Sequence, residues 1–226
     1  MAKLRNFILR YTSISAVIDV LRRRQLPLLN PNTWDDRNDR HFMALYKEKK
    51  EIGGLYGLCA ATCSETYHHW RVFTGSSDGA CIEIRRQPLE DALRPLTGVR
   101  FGNVKYLYLD DVEKLTTADL DRLPFVKRVG FTAEEEYRII AKTQESQAGA
   151  ISIDLPLEFI SKIYLNPWLP KSLAQSVTLT LRSLDGCGKL KIQRSHLIDN
   201  DRWKKAGDLV AGKAETTDIE VLKTQP

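Results

Sequence analysis

Glu134-x-Glu136-x-Arg138 runs directly into Ile139 and Ile140, and no other stretch restricts the fold as much. Tyr137, Ile139 and Ile140 favour a strand, because aromatic and β-branched side chains suit a pleated, half-buried surface. In a strand alternate side chains share a face. Glu134, Glu136 and Arg138 then fall on one side, and Glu135, Tyr137 and Ile139 on the other. Two carboxylates and a guanidinium in one row are costly to desolvate without partners. The row therefore lies in water, as a strand edge or the acidic start of a helix, or it lines a polar cleft. In a cleft it is a poised carboxylate beside an orienting cation, which is a chemical arrangement.

A chain of 226 residues, 42% hydrophobic and 28% charged, has a globular composition and not a disordered one. Its length suits one α+β domain over residues 1–205, followed by a flexible tail over 206–226. No apolar run approaches the roughly 20 residues that span a bilayer. The first ten residues lack the uninterrupted apolar segment of a signal peptide, so a cytoplasmic protein without a membrane partner is expected. A net charge of +5 and a pI near 9.0 permit an anionic partner, a nucleotide, nucleic acid or phosphate, without requiring one. Cys59-x-x-x-Cys63 lies near His68 and His69. The spacing is not that of a zinc finger and no second pair follows. Buried, reduced cysteines are expected, with no metal.

Along the chain, residues 7–12 read as a strand, residues 16–24 as a helix capped by Ser13 or Ser15, and residues 25–29 as an edge strand. Residues 30–39 form an Asn/Pro/Asp loop holding Trp34, without calcium-loop spacing. Helices are expected over 40–51, 91–96, 117–123, 156–161 and 171–183. Strands are expected over 55–63, 80–84, 104–109, 150–154, 162–165 and 189–193. His68, His69 and Trp70 fall in a short helical turn, where packing competes with proton transfer. The glycine-rich loop 75–79 can offer N–H groups to an anion but lacks a P-loop ending. No Gly-x-Ser-x-Gly or His-Glu-x-x-His is present, which leaves hydrolase triads and zinc proteases unsupported. The irregular interleaving predicts an α+β fold with a mixed or antiparallel sheet and flanking helices.

Several short signatures occur in order. They are Arg10-Tyr11-Thr12, Leu28-Leu29-Asn30-Pro31, Asp36 with Asp39, Cys63-Ser64, Trp70, Gly79-x-Cys81-x-Glu83, Lys127, and Glu134-x-Glu136-x-Arg138. In that order the chain resembles the bacterial family called Domain of Unknown Function 2971, over about residues 7–195. It departs from that pattern at Asp35, Arg37 and Phe73. More distantly, the opening strand–helix–strand is similar to ADP-ribosyltransferases of the DNA-modifying toxin type. That likeness implies NAD as cofactor, a toxin or phage-defence role, and an antitoxin or immunity protein as partner. It implies Glu136 as the late-strand glutamate, Glu134 as the residue that positions or deprotonates the acceptor, and Arg138 as their holder. Arg10 would bind NAD phosphate, Tyr11 and Thr12 the nicotinamide side, Tyr11 or Trp70 would stack on nicotinamide, and Lys127 would approach a phosphate. Two other readings stay open. One is a non-enzymatic nucleotide or nucleic-acid binding domain. The other is a metal-dependent nuclease using Asp36, Asp39, Glu134 and Glu136.

Overall fold

The computed structural model describes residues 6–146 and 149–213. β1 (Phe7–Ser13) passes directly into α1 (Ile14–Arg23), because the Ser13 hydroxyl accepts from the Ala16 N–H at 3.2 Å and caps the helix. Val17, Val20 and Leu21 form the buried stripe of α1. The helix stops at Arg24, which adopts the left-handed conformation, and β2 (Gln25–Leu29) leaves at once. Next come α2 (Arg37–Lys49), β3 (Gly54–Ala61), α3 (Tyr67–Phe73), β4 (Gly79–Arg85), α4 (Arg86–Leu93), β5 (Val99–Asn103), β6 (Lys105–Leu107) and α5 (Leu109–Val112). The chain continues through β7 (Val126–Arg128), β8 (Glu136–Thr143), β9 (Ala150–Asp154), β10 (Ile160–Leu165), α6 (Lys171–Arg182), β11 (Ile192–Arg194) and α7 (Asp201–Val210).

Among the described residues the main sheet runs β11-β10-β4-β1-β3-β2-β9, with β8 beside β3 and β5 beside β8. The β10–β11 pair is parallel and the others are antiparallel, so the fold is α+β with a mixed sheet. β6 and β7 form a separate parallel pair. Period-2 alternation assigns the layers. Ile8, Leu58, Ile82, Ile84 and Ile139 enter the large core with α1, while Leu9, Tyr11 and Cys81 point to a small cluster around Trp70. Ile140 joins Met43, Tyr46 and Leu55 under α2.

One junction of the sheet is incomplete. β1 pairs with β4 over seven residues, from Phe7↔Arg85 to Ser13↔Gly79. β3 pairs with β8 from Gly54↔Thr143 to Ala61↔Glu136. Between β1 and β3 the ladder is a single contact, Leu9↔Ala61, and between β2 and β3 it is Leu29↔Gly57. The sheet is thus two halves joined at a seam, and backbone groups of β3 facing the seam need other partners. The Arg10 guanidinium supplies one, donating to the Cys59 carbonyl at 2.8 Å.

Several expected boundaries shift. The strand expected over 104–109 is only β6, followed by α5, and β5 was not anticipated at all. The helix expected over 91–96 begins at Arg86. In place of the helix expected over 117–123 stands a 3-10 helix, Thr117–Phe125, with Pro124 inside it, and Leu157–Phe159 form a 3-10 turn that feeds β10. The helix expected over 40–51 begins at Arg37, because the Asp36 carboxylate caps it through the Asn38 N–H at 2.9 Å. The tail expected from residue 206 begins as the second half of α7, capped by Asn200, and residues 214–226 lie outside the described residues. No described helix is long and apolar enough to cross a membrane.

Candidate active site in the seam

A cavity of about 310 Å³ opens where β1 and β3 diverge. β3 forms its floor from Gly57 to Ala61, and Leu9, Arg10 and Tyr11 of β1 form one wall. The remaining lining comes from the segment holding Trp34, Asp36 and Asp39, from the turn holding Phe131 and Glu134, and from Glu136 at the start of β8. That size falls at the lower end of small-molecule sites.

Gly57 fixes one wall. A Cβ there would stand 2.7 Å from Cζ2 of Trp34, so only glycine lets the indole lie on β3. The ring in turn covers the Arg138 guanidinium, 4.8 Å from its centroid. Gly57→Val is expected to lower stability by about 1–3 kcal/mol in urea denaturation, as an overpacked site does. It should also dislodge Trp34, which tryptophan fluorescence would report.

The charged row does not form as a simple strand face. β8 begins at Glu136, while Glu134 closes a 3-10 turn over Val129–Glu134 and Glu135 is left-handed at φ 40°. The αL kink bends both flanking carboxylates to the same side. The end of β3 clasps it, since the Thr62 N–H and hydroxyl both donate to the Glu135 carbonyl, at 2.8 and 2.9 Å. His69 holds the preceding residue. Its Nε2–H donates to the Glu134 carbonyl at 3.0 Å while Nδ1 accepts from the Thr66 hydroxyl. Burial holds the His69 pKa below its usual value and keeps the ring neutral. Tyr11 stacks on that ring at 5.2 Å.

The solvated-edge and helix-start readings of the row are overturned: Glu136 is 4% exposed and Arg138 is fully buried. Arg138 Nε donates to Glu136 Oε1 at 2.7 Å, Nη2 to Asp39 Oδ2 at 2.8 Å, and Nη1 to the Pro124 carbonyl at 2.8 Å. Lys127 Nζ donates to Glu134 Oε2 at 2.6 Å and to Glu136 Oε2 at 3.2 Å, and it lies 3.6 Å from Asp39 Oδ2. Three carboxylates therefore surround two cations. Burial alone would raise the Glu136 pKa, but Arg138 and Lys127 overcome it and pull it down to about 2. For Glu134 and Asp39 burial wins over their cations, and both are raised above the usual carboxylate range. Neighbouring carboxylates add to the rise. The site thus separates one permanent anion, Glu136, from carboxylates with raised proton affinity.

Of the residues expected in the site, Glu134, Glu136, Arg10, Tyr11 and Lys127 line the cavity, and Thr12, Trp70 and Arg138 do not. Trp70 is 1% exposed and packs edge-on behind Tyr11 at 5.2 Å. The stacking role expected for it is corrected to support of Tyr11, which occupies the wall between it and the cavity. The Lys127 ammonium, expected to approach a phosphate, is engaged by three carboxylates. Asp39, Trp34, Cys59 and Phe131 line the cavity and were not anticipated there as a group. Asp39 left a readable signal. Asp39, Met43 and Tyr46 form the buried stripe of α2, so a carboxylate occupies an apolar helix face.

No family model matches the chain, and no curated protein matches it significantly. The likeness to the Domain of Unknown Function family therefore rests on motif order alone. Among solved structures the chain is similar to Thermus sp. 2.9 DarT in complex with NAD+, at TM-score 0.45 and 10% identity over 86% of this chain and 98% of that chain. It is also similar to Thermus sp. 2.9 DarT in complex with carba-NAD+, at TM-score 0.43 and 10% identity over 84% of this chain and 95% of that chain.

Proposed function

We propose that the seam binds NAD and transfers its ADP-ribose to an acceptor. The observation that carries this reading is Glu136, a buried carboxylate kept ionised by Arg138 and Lys127 at the edge of an aromatic-walled cavity. Cleavage of the nicotinamide–ribose bond sends the bonding electron pair away with nicotinamide and leaves positive charge on the ribose. A fixed anion at that position stabilises the charge as it develops, and its own orientation requires no reorganisation during the step. Glu134, whose proton affinity is raised, takes the proton from an acceptor hydroxyl or amine as the new bond to the ribose forms. Tyr11, braced by His69 and Trp70, offers a rigid aromatic face to the nicotinamide. Arg10 reaches the cavity from β1 and supplies a cation for the diphosphate. The reading places the protein in the cytoplasm, where NAD is abundant. A transferase of this kind is harmful to its own cell without a neutralising partner, the antitoxin or immunity protein that the resemblance implies.

The test is incubation of the full chain with NAD, following nicotinamide release and the thermal midpoint together. A rise in midpoint with nicotinamide release is the expected result. A rise without release would favour the nucleotide-binding reading, and neither would reject NAD as ligand. The nuclease reading is the weaker alternative. The Lys127 ammonium already occupies the position between Asp39, Glu134 and Glu136 where a catalytic cation would sit.

A further inference from the structure

We propose that Asp39 is a positioning residue for this site: carried on α2, it anchors the guanidinium that holds Glu136 and shares with Glu134 the ammonium of Lys127. The inference rests on the proposed transferase reading and adds a group from a distant part of the chain. Asp39 Oδ2 binds Arg138 Nη2 at 2.8 Å while Arg138 Nε binds Glu136 at 2.7 Å. The guanidinium is thus gripped from two sides, and its plane is set by both carboxylates. Without Asp39 it keeps only Glu136, the Pro124 carbonyl and the face of Trp34. The same Oδ2 lies 3.6 Å from Lys127 Nζ and competes with Glu134 for that ammonium.

The groups facing Glu134 come from five elements. Lys127 of β7 binds its carboxylate, and Glu136 of β8 and Asp39 of α2 repel a second negative charge. The Tyr106 phenol of β6 lies close enough to feel its charge, and neutral His69 of α3 holds its backbone. Loss of the Asp39 charge frees more of the Lys127 ammonium for Glu134 and removes one repelling anion. Both changes favour the ionised form of Glu134 and weaken it as a base.

The experiment compares wild type, Asp39→Asn and Asp39→Glu in the full chain. It reads the Glu134 carboxyl titration by carbon NMR with glutamate labelling, assigned with Glu134→Gln, together with the pH profile of nicotinamide release. For Asp39→Asn the Glu134 midpoint and the acidic limb of kcat should both move down by roughly one pH unit, as removal of a nearby like charge requires. The kcat should fall about tenfold with little change in KM, the pattern of a lost transition-state contribution. Asp39→Glu, which retains the charge, should restore the wild-type midpoint. An unchanged Glu134 midpoint in Asp39→Asn, or a shifted one in Asp39→Glu, would overturn the proposal. The NMR titration needs no turnover, so a wild type inactive on NAD would reject the transferase reading while the titration still decides whether Asp39 acts on Glu134. If Asp39→Asn does not fold, Asp39→Ser, which also removes the charge, takes its place in the titration, with the same shift expected and an unchanged midpoint overturning the proposal.

Discussion

Glu136→Gln is expected to lower nicotinamide release by about a thousandfold or more, the scale of removing a preorganised charge from a developing transition state. The amide keeps the size of the carboxylate and can still accept from one of its two cations, Arg138 or Lys127, but it carries no charge and its NH2 faces the other. KM for NAD should change little, because the anion acts mainly when the ribose becomes positive and much less in the ground state. The fold should survive. Arg138 retains Asp39 and the Pro124 carbonyl, and Lys127 retains Glu134. Circular dichroism and the thermal midpoint of the variant check that point alongside single-turnover kinetics. Release within tenfold of wild type would remove Glu136 from the mechanism.

Arg138→Leu is expected to be the most destabilising single change in the site, costing about 3–5 kcal/mol in urea denaturation near pH 7. A fully buried guanidinium disappears and leaves Asp39 and Glu136 facing each other with only Lys127 between them. The contribution of Glu136 to the pH dependence should change sign. In wild type the Glu136 pKa lies near 2, below its usual 4.5. Its contribution to stability is therefore present above 4.5 and lost as pH falls toward 2. Without Arg138 the buried carboxylates favour their protonated forms, so the variant should lose stability as pH rises. Denaturation at about pH 5 and about pH 7 distinguishes the two behaviours, because the variant should be relatively better at the lower value. A variant equally impaired at both would place the loss in packing against Trp34 instead of in charge.

Local patterns carried the parts of the fold that depend on local physics. The strand composition of residues 7–12, the alternation in 150–154, the Ser13 cap and the helical stripe of α1 all lead to the observed elements. β5 escaped because Val99 and Phe101 are followed by Gly102, which breaks the alternating signal, and its strand identity comes from pairing with β8. The Glu136–Arg138 pair was legible as an expensive row that needed partners. Its partners were not legible, because Asp39 stands 99 residues before Arg138 and meets it only through the tertiary fold. Period 2 placed Glu134 beside Glu136 for the wrong reason. The two converge through the left-handed Glu135, a conformation uncommon for a non-glycine residue and not signalled by its sequence neighbours.

The single-contact junction between β1 and β3 has a thermodynamic consequence. A continuous ladder would hold the two half-sheets together whatever the solution contains, but here cohesion across the gap depends on side chains such as Arg10 and on whatever occupies the cavity. A guest bound there acts as a removable staple. Its occupancy adds RT ln(1 + [L]/Kd) to the unfolding free energy, about 2.7 kcal/mol at a hundredfold excess over Kd. The resistance of the protein to heat and proteolysis would then report the supply of its ligand, and depletion of that ligand would make the molecule easier to clear.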